Sequence, residues 1–470
     1  MTVFRHVRTG ALASVAVLAS ALTSPVLAQA PKAAARALSV PYVLDSLPNG
    51  LTLIVHEDHS TPIVTTDVWF HVGSGDEKPG RTGFAHLFEH LMFMGSEHAE
   101  NPQFDRLLEA AGANNNGSTT EDRTNYYESG PSSALPLMLW LEADRMGWLL
   151  PTMDKPKVDL QRDVVKNERR QSYENQPYGL VADYEPKLMY PAGHPYSWPV
   201  IGSMADLSAA SVDDVKNFFR QYYAPNNASL VVAGDFVAAD AKRLIEQYFA
   251  DVPRVAAPPR VACEQSFNTG PLRRTVTDKN ATLAASVAFF RVPEEAHADH
   301  PAIELLSTIL GQGESSRLNR SVVRDTKAAA AAQTLGLYGP TRGPNAFAVL
   351  AIANQGVAVD SVEKLVAAQI ARIAADGVTE AELAKAKNAF RANKIMERET
   401  ALNVAESVHY AETFLGDPLK VNTDLARYGS NAEWHGVYYR GEKIGFTVSQ
   451  VVPTSEGFEL QEDGRLQMAL

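Results

Sequence analysis

Cysteine is almost missing from this 470-residue chain: Cys263 is the only one. A single thiol excludes an intramolecular disulfide framework and any cysteine-built zinc or iron–sulfur site. Positive charge is also short. Lys and Arg number 43 against 55 Asp and Glu, a formal net charge of −12. With no basic tract to neutralise phosphate, nucleic acid is excluded as a partner. Past the N-terminus, no run approaches the ~18 apolar residues of a membrane span. Phosphate-cradling glycine loops and nucleophile elbows are missing as well. What is present is ordinary globular composition, 45% hydrophobic and 21% charged, in a chain long enough to bury a core without staples. A catalytic or metal site must therefore be built from His, Asp and Glu.

The first 28 residues read as an export leader. Arg5 and Arg8 precede an apolar stretch from Gly10 to Leu22, and Val26-Leu27-Ala28 supplies small residues for cleavage after Ala28. A cut after Ala30 would place Pro31 at the following position, which is disfavoured. The apolar run is too short to cross about 30 Å of hydrocarbon, so no stable membrane anchor is expected. Two arginines leave with the leader and no acid does, taking the mature charge to −14. Export to the periplasm is the expected address.

The remainder reads as α+β, with two related halves at 40–251 and 272–470 joined by a proline-punctuated linker at 252–271. In the first half, strands are expected at Leu51–Val55 and Ile63–Val72. A helix follows over Thr82–Met94 with Thr82 as its N-cap, and others are expected at Pro102–Ala111, Ser133–Leu149, Lys157–Tyr173, Val212–Tyr222 and Ala238–Phe249. The second half restarts with a strand at Thr282–Val292. Helices follow at Pro301–Leu310, Ser315–Asp325 and Val362–Ala374, then another helical tract covers Glu380–Leu415. From about 429 the pattern breaks into an atypical tail of scattered polar residues with a weak strand at Gly445–Val452. That tail is either divergence or an altered reading frame.

One constellation carries chemistry. His86-Leu87-Phe88-Glu89-His90 lies inside the first helix, and histidines four apart sit roughly 40° from each other on one face. Both imidazoles can converge on one ion, with Glu89 near the same point. Imidazole and carboxylate suit Zn²⁺, and three protein ligands leave a fourth position for water. Phe84, Leu87, Phe88, Leu91, Met92 and Phe93 wrap the helix in apolar side chains. It should therefore be buried, and a buried His–Glu–His cluster needs a partner for its polar groups.

Residues Gly83–Gly95 around this pair resemble the inverted zinc motif of the inverzincin peptidases, the family of pitrilysin, insulin-degrading enzyme and the mitochondrial processing peptidase. The resemblance covers residues 45 to 428. It implies two homologous domains, each a mainly antiparallel sheet layered with helices, that form a clamp. It also implies a zinc-dependent endopeptidase acting on peptides or unfolded segments. In that family a third ligand comes from a glutamate on a separate helix. Val164-Val-Lys-Asn-Glu168-Arg-Arg-Gln171 fits this element, with 77 residues between His90 and Glu168. His86, His90 and Glu168 would then hold zinc, and Glu89 would be the general base that activates the attacking water. Asn114–Thr120 resembles the edge strand on which substrate adds, with Asn116 as a substrate contact.

Three departures from the family stand out. The position seven residues before Glu168, often acidic, is Gln161, leaving Asp159 or Asp163 to serve instead. Arg324 matches a substrate-gripping arginine, but the tyrosine expected seven residues on is Ala331, and Tyr338 comes seven residues later still. In two-chain bacterial members a homologous partner lacking zinc ligands supplies that Arg/Tyr pair, so such a partner subunit is expected here. The tail is the third departure. The alternative function is a non-catalytic or partner-dependent binding subunit of a heterodimeric peptidase. On export, the leader reading expects a mature N-terminus at Gln29, checked by intact mass. Ala28→Leu should leave the precursor uncut.

Overall fold

The computed structural model describes residues 40–261, 268, 270–293, 297, 299–343, 345–418 and 421. It also describes the strand backbone within 432–439, 442–454 and 457–466. The leader and Cys263 lie outside the described residues. By contacts the chain separates into a unit spanning Leu38–Asn431 and a second that includes Ala432–Leu470.

In chain order the first half contains β1 (Val43–Ser46), β2 (Thr52–Glu57), β3 (Ile63–Phe70), α1 (Phe84–Leu91), α2 (Gln103–Ala110), β4 (Asn114–Thr119) and β5 (Thr124–Pro131). It continues with α3 (Leu135–Trp148), α4 (Lys155–Arg169), α5 (Val181–Met189), α6 (Met204–Ala209), α7 (Val212–Tyr222), β6 (Ala228–Gly234) and α8 (Ala238–Phe249). The strands form one sheet in the order β1-β2-β6-β3-β5-β4. Only β2 and β6 pair in parallel; every other neighbour is antiparallel. β6 is buried along its whole length, which is why it lacks an apolar–polar alternation: both of its faces are covered.

The two faces are covered by different parts of the chain. Leu53, Val55, Leu230 and Val232 point into the main core with α1, α3, α7 and α8. Ile54, Val231 and Ala233 point the other way, against Val404, Ala405, Val408 and Ala411. Those four residues belong to the last helix of the second half, so the first sheet is finished by the second half of the sequence.

That second half contains β7 (Ala285–Val292), α9 (His300–Gly311), β8 (Ala329–Tyr338), β9 (Asn345–Ala353), α10 (Val359–Asp376), α11 (Glu380–Met396) and α12 (Ala401–Leu415). Its sheet runs β7-β9-β8, all antiparallel. This repeats the β3-β5-β4 order of the first half, with helical segments again between the first two strands. The observed architecture is α+β with mainly antiparallel sheets.

Several local expectations are corrected. β8, where no element is expected, runs through an alanine-rich stretch that favours helix; pairing with β9 overrides that propensity, since small side chains suit a strand packed on a core. The expected helix at Ser315–Asp325 is largely a π-helical turn, Asn319–Asp325. The tract 380–415 is two helices, because Thr400 caps a new one by accepting from the Asn403 N–H at 3.1 Å. The tail, read as irregular with one weak strand, forms three antiparallel strands: β10 (Ala432–Tyr439), β11 (Glu442–Thr454) and β12 (Gly457–Leu466).

The start of α1 is also different from the expectation. Its N-cap is Gly83, at φ +85°, and Thr82 does not cap it. The Thr82 hydroxyl instead donates to Asp206 at 2.6 Å. Glu77, 6% exposed, accepts from the N–H groups of Gly83 at 2.9 Å and Ala85 at 2.8 Å. A carboxylate at a helix N-terminus satisfies orphan donors and complements the dipole. Glu77→Ala would leave those donors buried and unpaired. It is expected to lower the unfolding free energy by about 1–3 kcal/mol, read by urea denaturation of the metal-free protein.

Candidate metal centre

The site grows from α1. Phe84, Ala85, Leu87, Phe88 and Leu91 are all buried, and Phe88 packs against Tyr223 and Phe218 with ring centroids 4.8 and 5.6 Å away. With those faces committed to the core, the face left open carries His86, Glu89 and His90. Their imidazoles lie edge to face with centroids 4.8 Å apart.

The third residue arrives on α4, which starts where Asp154 accepts from the Lys157 N–H at 3.0 Å. Val158 and Val165 are buried on one side of this helix, which turns its last stretch towards α1. Glu168 Oε2 sits 3.2 Å from His90 Nε2, and Oε1 sits 3.7 Å from His86 Nε2. One ligand atom from each residue falls within 4.8 Å of the others. Zinc ligands at ordinary bond lengths stand about 3.3 Å apart along a tetrahedral edge, so the observed separations fit a zinc-sized ion. The protonation pattern agrees. Burial drives His86 down to about 4, the neutral form that ligates. Its Nε2 stands 3.7 Å from a Glu168 oxygen, too far for a hydrogen bond, a gap that a cation would fill.

His90 behaves differently. Burial pulls its pKa down, but the hydrogen bond and charge of Glu168 outweigh that and raise it, with further help from Glu89 and Gln161. Glu168 is lowered, first by its hydrogen bond to His90. Gln161 is thus the neighbour of His90 at the position that is often acidic in the family this chain resembles. Asp159 and Asp163 do not replace it: Asp159 is engaged by Lys155 and Arg162, and Asp163 by Lys166.

Glu89 projects beside the cluster towards the edge strand β4. Its Oε2 accepts from the Thr119 hydroxyl at 2.6 Å. Burial raises its pKa, opposed by that hydrogen bond and by His90. The approach is close: a Cβ on Gly117 would stand 3.2 Å from Glu89 Cγ and 3.0 Å from the Asn125 carbonyl oxygen. Glu77, Gly117 and Thr119 were not singled out from sequence, although a glycine inside a strand is a usable signal of close backbone approach.

Other expected residues lie elsewhere on the framework. Asn116 is exposed on β4, and its Oδ1 accepts from the Gly117 N–H at 2.9 Å. Arg324 is exposed on the turn Asn319–Asp325, which packs on β8 and α10, and no hydrogen bond or ion pair ties it to the cluster. Ala331 faces Ile352 across the β8–β9 pair. The side chain of Tyr338 lies outside the described residues.

The family profile described as Insulinase (Peptidase family M16) matches residues 52–191, and that of the Peptidase M16 inactive domain matches 209–390. The zinc protease PqqE of Helicobacter pylori is 30% identical over 388 residues, covering 81% of this chain and 85% of that protein. An uncharacterized zinc protease of Mycobacterium leprae is 29% identical, covering 78% and 81%. A crystal structure of a protease from Helicobacter pylori superposes with a TM-score of 0.76 at 27% identity, covering 83% of this chain and 92% of the other. The class is an α+β peptidase fold with mainly antiparallel sheets, shared with proteins named zinc proteases. This chain belongs to peptidase family M16.

Metal loading should depend on pH with a definite sign. Because Glu168 outweighs burial and raises the His90 pKa, protons compete with zinc for that imidazole, whereas burial keeps His86 neutral near pH 7. Zinc affinity is therefore expected to fall as pH drops through the His90 pKa, with protons released as zinc binds. Calorimetry in buffers of different ionisation enthalpy measures this.

Proposed function

We propose that this chain is a zinc-dependent endopeptidase that cleaves peptides or unfolded protein segments after export to the periplasm. The observation that carries the reading is the convergence of His86, His90 and Glu168 with a separate carboxylate, Glu89, held beside them by Thr119. When bound there, zinc supplies Lewis acidity that polarises a peptide carbonyl and brings the pKa of water towards about 7.

The rest falls to the chain's own groups. Half-buried Glu89 accepts a proton from the attacking water and returns it to the amine nitrogen as the C–N bond breaks. Thr119 orients Glu89 for both transfers. β4 is an edge strand with β5 on one side only, so an extended peptide can pair along its open side through main-chain hydrogen bonds. Asn116 and Arg324 are the proposed side-chain contacts. A boundary in 252–271 separates the zinc-binding half from the second half.

A specific observation favours a partner. Ala331, where a tyrosine would grip substrate, carries only a methyl group on β8. A homologous subunit with an Arg/Tyr pair would complete the site, and without one the chain would act as a binding subunit. Among the described residues no helix is long and apolar enough to cross a membrane.

The test is a quenched-peptide assay of the purified chain, alone and with any co-purified partner, beside Glu89→Gln. The variant should keep one zinc per chain and lose cleavage by about 10²–10⁴-fold. Zinc-dependent cleavage that survives Glu89→Gln overturns the mechanism. One zinc per chain with no cleavage in either preparation moves the reading to the binding subunit.

A further inference from the structure

The β4–β5 hairpin supports Glu89 through Thr119, yet it is weakly held by its own strand pairing. β4 has six residues, a glycine in its middle and a neighbour on one side. Two anchors from the second half hold it.

The first is at the turn. Asp122, 3% exposed, accepts at Oδ2 from the N–H groups of Thr341 at 2.6 Å and Arg342 at 2.9 Å. Its Oδ1 accepts from Arg342 Nε at 2.8 Å and from the Tyr196 hydroxyl at 2.6 Å. Arg342 also reaches Asp76 at 3.3 Å. Thr341 and Arg342 belong to the loop between β8 and β9. Charge-assisted bonds of this kind, taken out of water, are the strong ones.

The second anchor is at the start of β5. Asn125 is fully buried, and its Nδ2 donates to Glu406 of α12 at 2.7 Å and to Asp67 of β3 at 3.1 Å. Asp67 is in turn hydrogen-bonded to His409 of α12 at 2.8 Å. On its other side, Asn125 Oδ1 accepts from Ser118 of β4 at 2.7 Å and from Arg123 at 3.1 Å. Ser118 immediately precedes Thr119, the residue that holds Glu89. An unbroken path of short hydrogen bonds therefore runs from α12 to the edge strand beside the metal cluster.

We propose that Asp122 and Asn125 are positioning residues through which the second half fixes β4, and with it Thr119, Glu89 and the edge on which substrate pairs. This rests on the peptidase reading above. Neither residue touches the three ligands. Both act through the strand, and a displacement near 1 Å there can cost up to about 10²-fold in rate. The second half thus has a part in the reaction although it offers no metal ligand.

The experiment uses the full chain with Arg342→Met, Arg342→Lys and Asn125→Ala. Hydrogen exchange at 114–120 should speed about tenfold in the Met and Ala variants while 84–91 and 155–169 stay protected. Zinc should remain at one per chain. KM should rise about tenfold, with a smaller fall in kcat, and Arg342→Lys should recover part of both effects. Unchanged exchange at 114–120 overturns the proposal. So does a loss of kcat at constant KM that tracks lost zinc, because that marks a general folding defect. If the unaltered chain cleaves nothing, the peptidase reading fails by itself, and exchange at 114–120 still decides whether the second half holds β4.

Discussion

The structure depends on how α1 is held. Eight residues are too few for a helix to persist without support, yet this one must present His86, Glu89 and His90 on one face. Two forces fix it. The Glu77 carboxylate ties down the first N–H groups, and five apolar residues are pressed into the core. Once those faces are committed, His86, Glu89 and His90 have one direction left. α4 then needs only to bring Glu168 across, and β4 only to bring Thr119. The orientation of the site is a by-product of core packing.

This arrangement divides the polar groups by role. His86 is kept neutral by burial, whereas His90 is kept basic by the carboxylate opposite it. Glu89 is kept apart from the ligands by the Thr119 hydroxyl and raised by burial. Two carboxylates within one small site thus have opposite proton affinities. Glu168 is lowered by its hydrogen bond to His90, and Glu89 is raised by burial. Environment sets the difference, since the two side chains are chemically identical.

Much of this was legible in the sequence, for physical reasons that can be named. The histidine pair is local: four residues on a helix always share a face. α7 and α8 were read with their observed boundaries because each carries a strong amphipathic pattern. β8 was missed because alanine carries no periodic signal and only pairing with β9 makes it a strand. The break between α11 and α12 was missed because both flanks are periodic, and a single threonine cap decides it. Thr82 is the cap of α1 expected from residue type, but Glu77, five residues upstream, takes the first N–H groups with its two oxygens. Asp159 and Asp163 looked available for the site in sequence; neighbouring cations on their own helix engage them.

The sequence by itself determined the composition of the site. With one cysteine, ligands had to be His, Asp or Glu, and the spacing of His86 and His90 required a shared face. It also determined the family, because the motif and the distant glutamate occur together. Tertiary structure brought Glu168, the carboxylate expected from the family resemblance, to 3.2 Å from His90, and it turned Glu89 to the Thr119 hydroxyl at 2.6 Å. It likewise decided that α12, some 300 residues from α1, closes the outer face of the first sheet and reaches the edge strand through Asp67 and Asn125. No local pattern encodes that contact. It exists because a sheet with two apolar faces must be covered on both, and the second half of the chain supplies the cover.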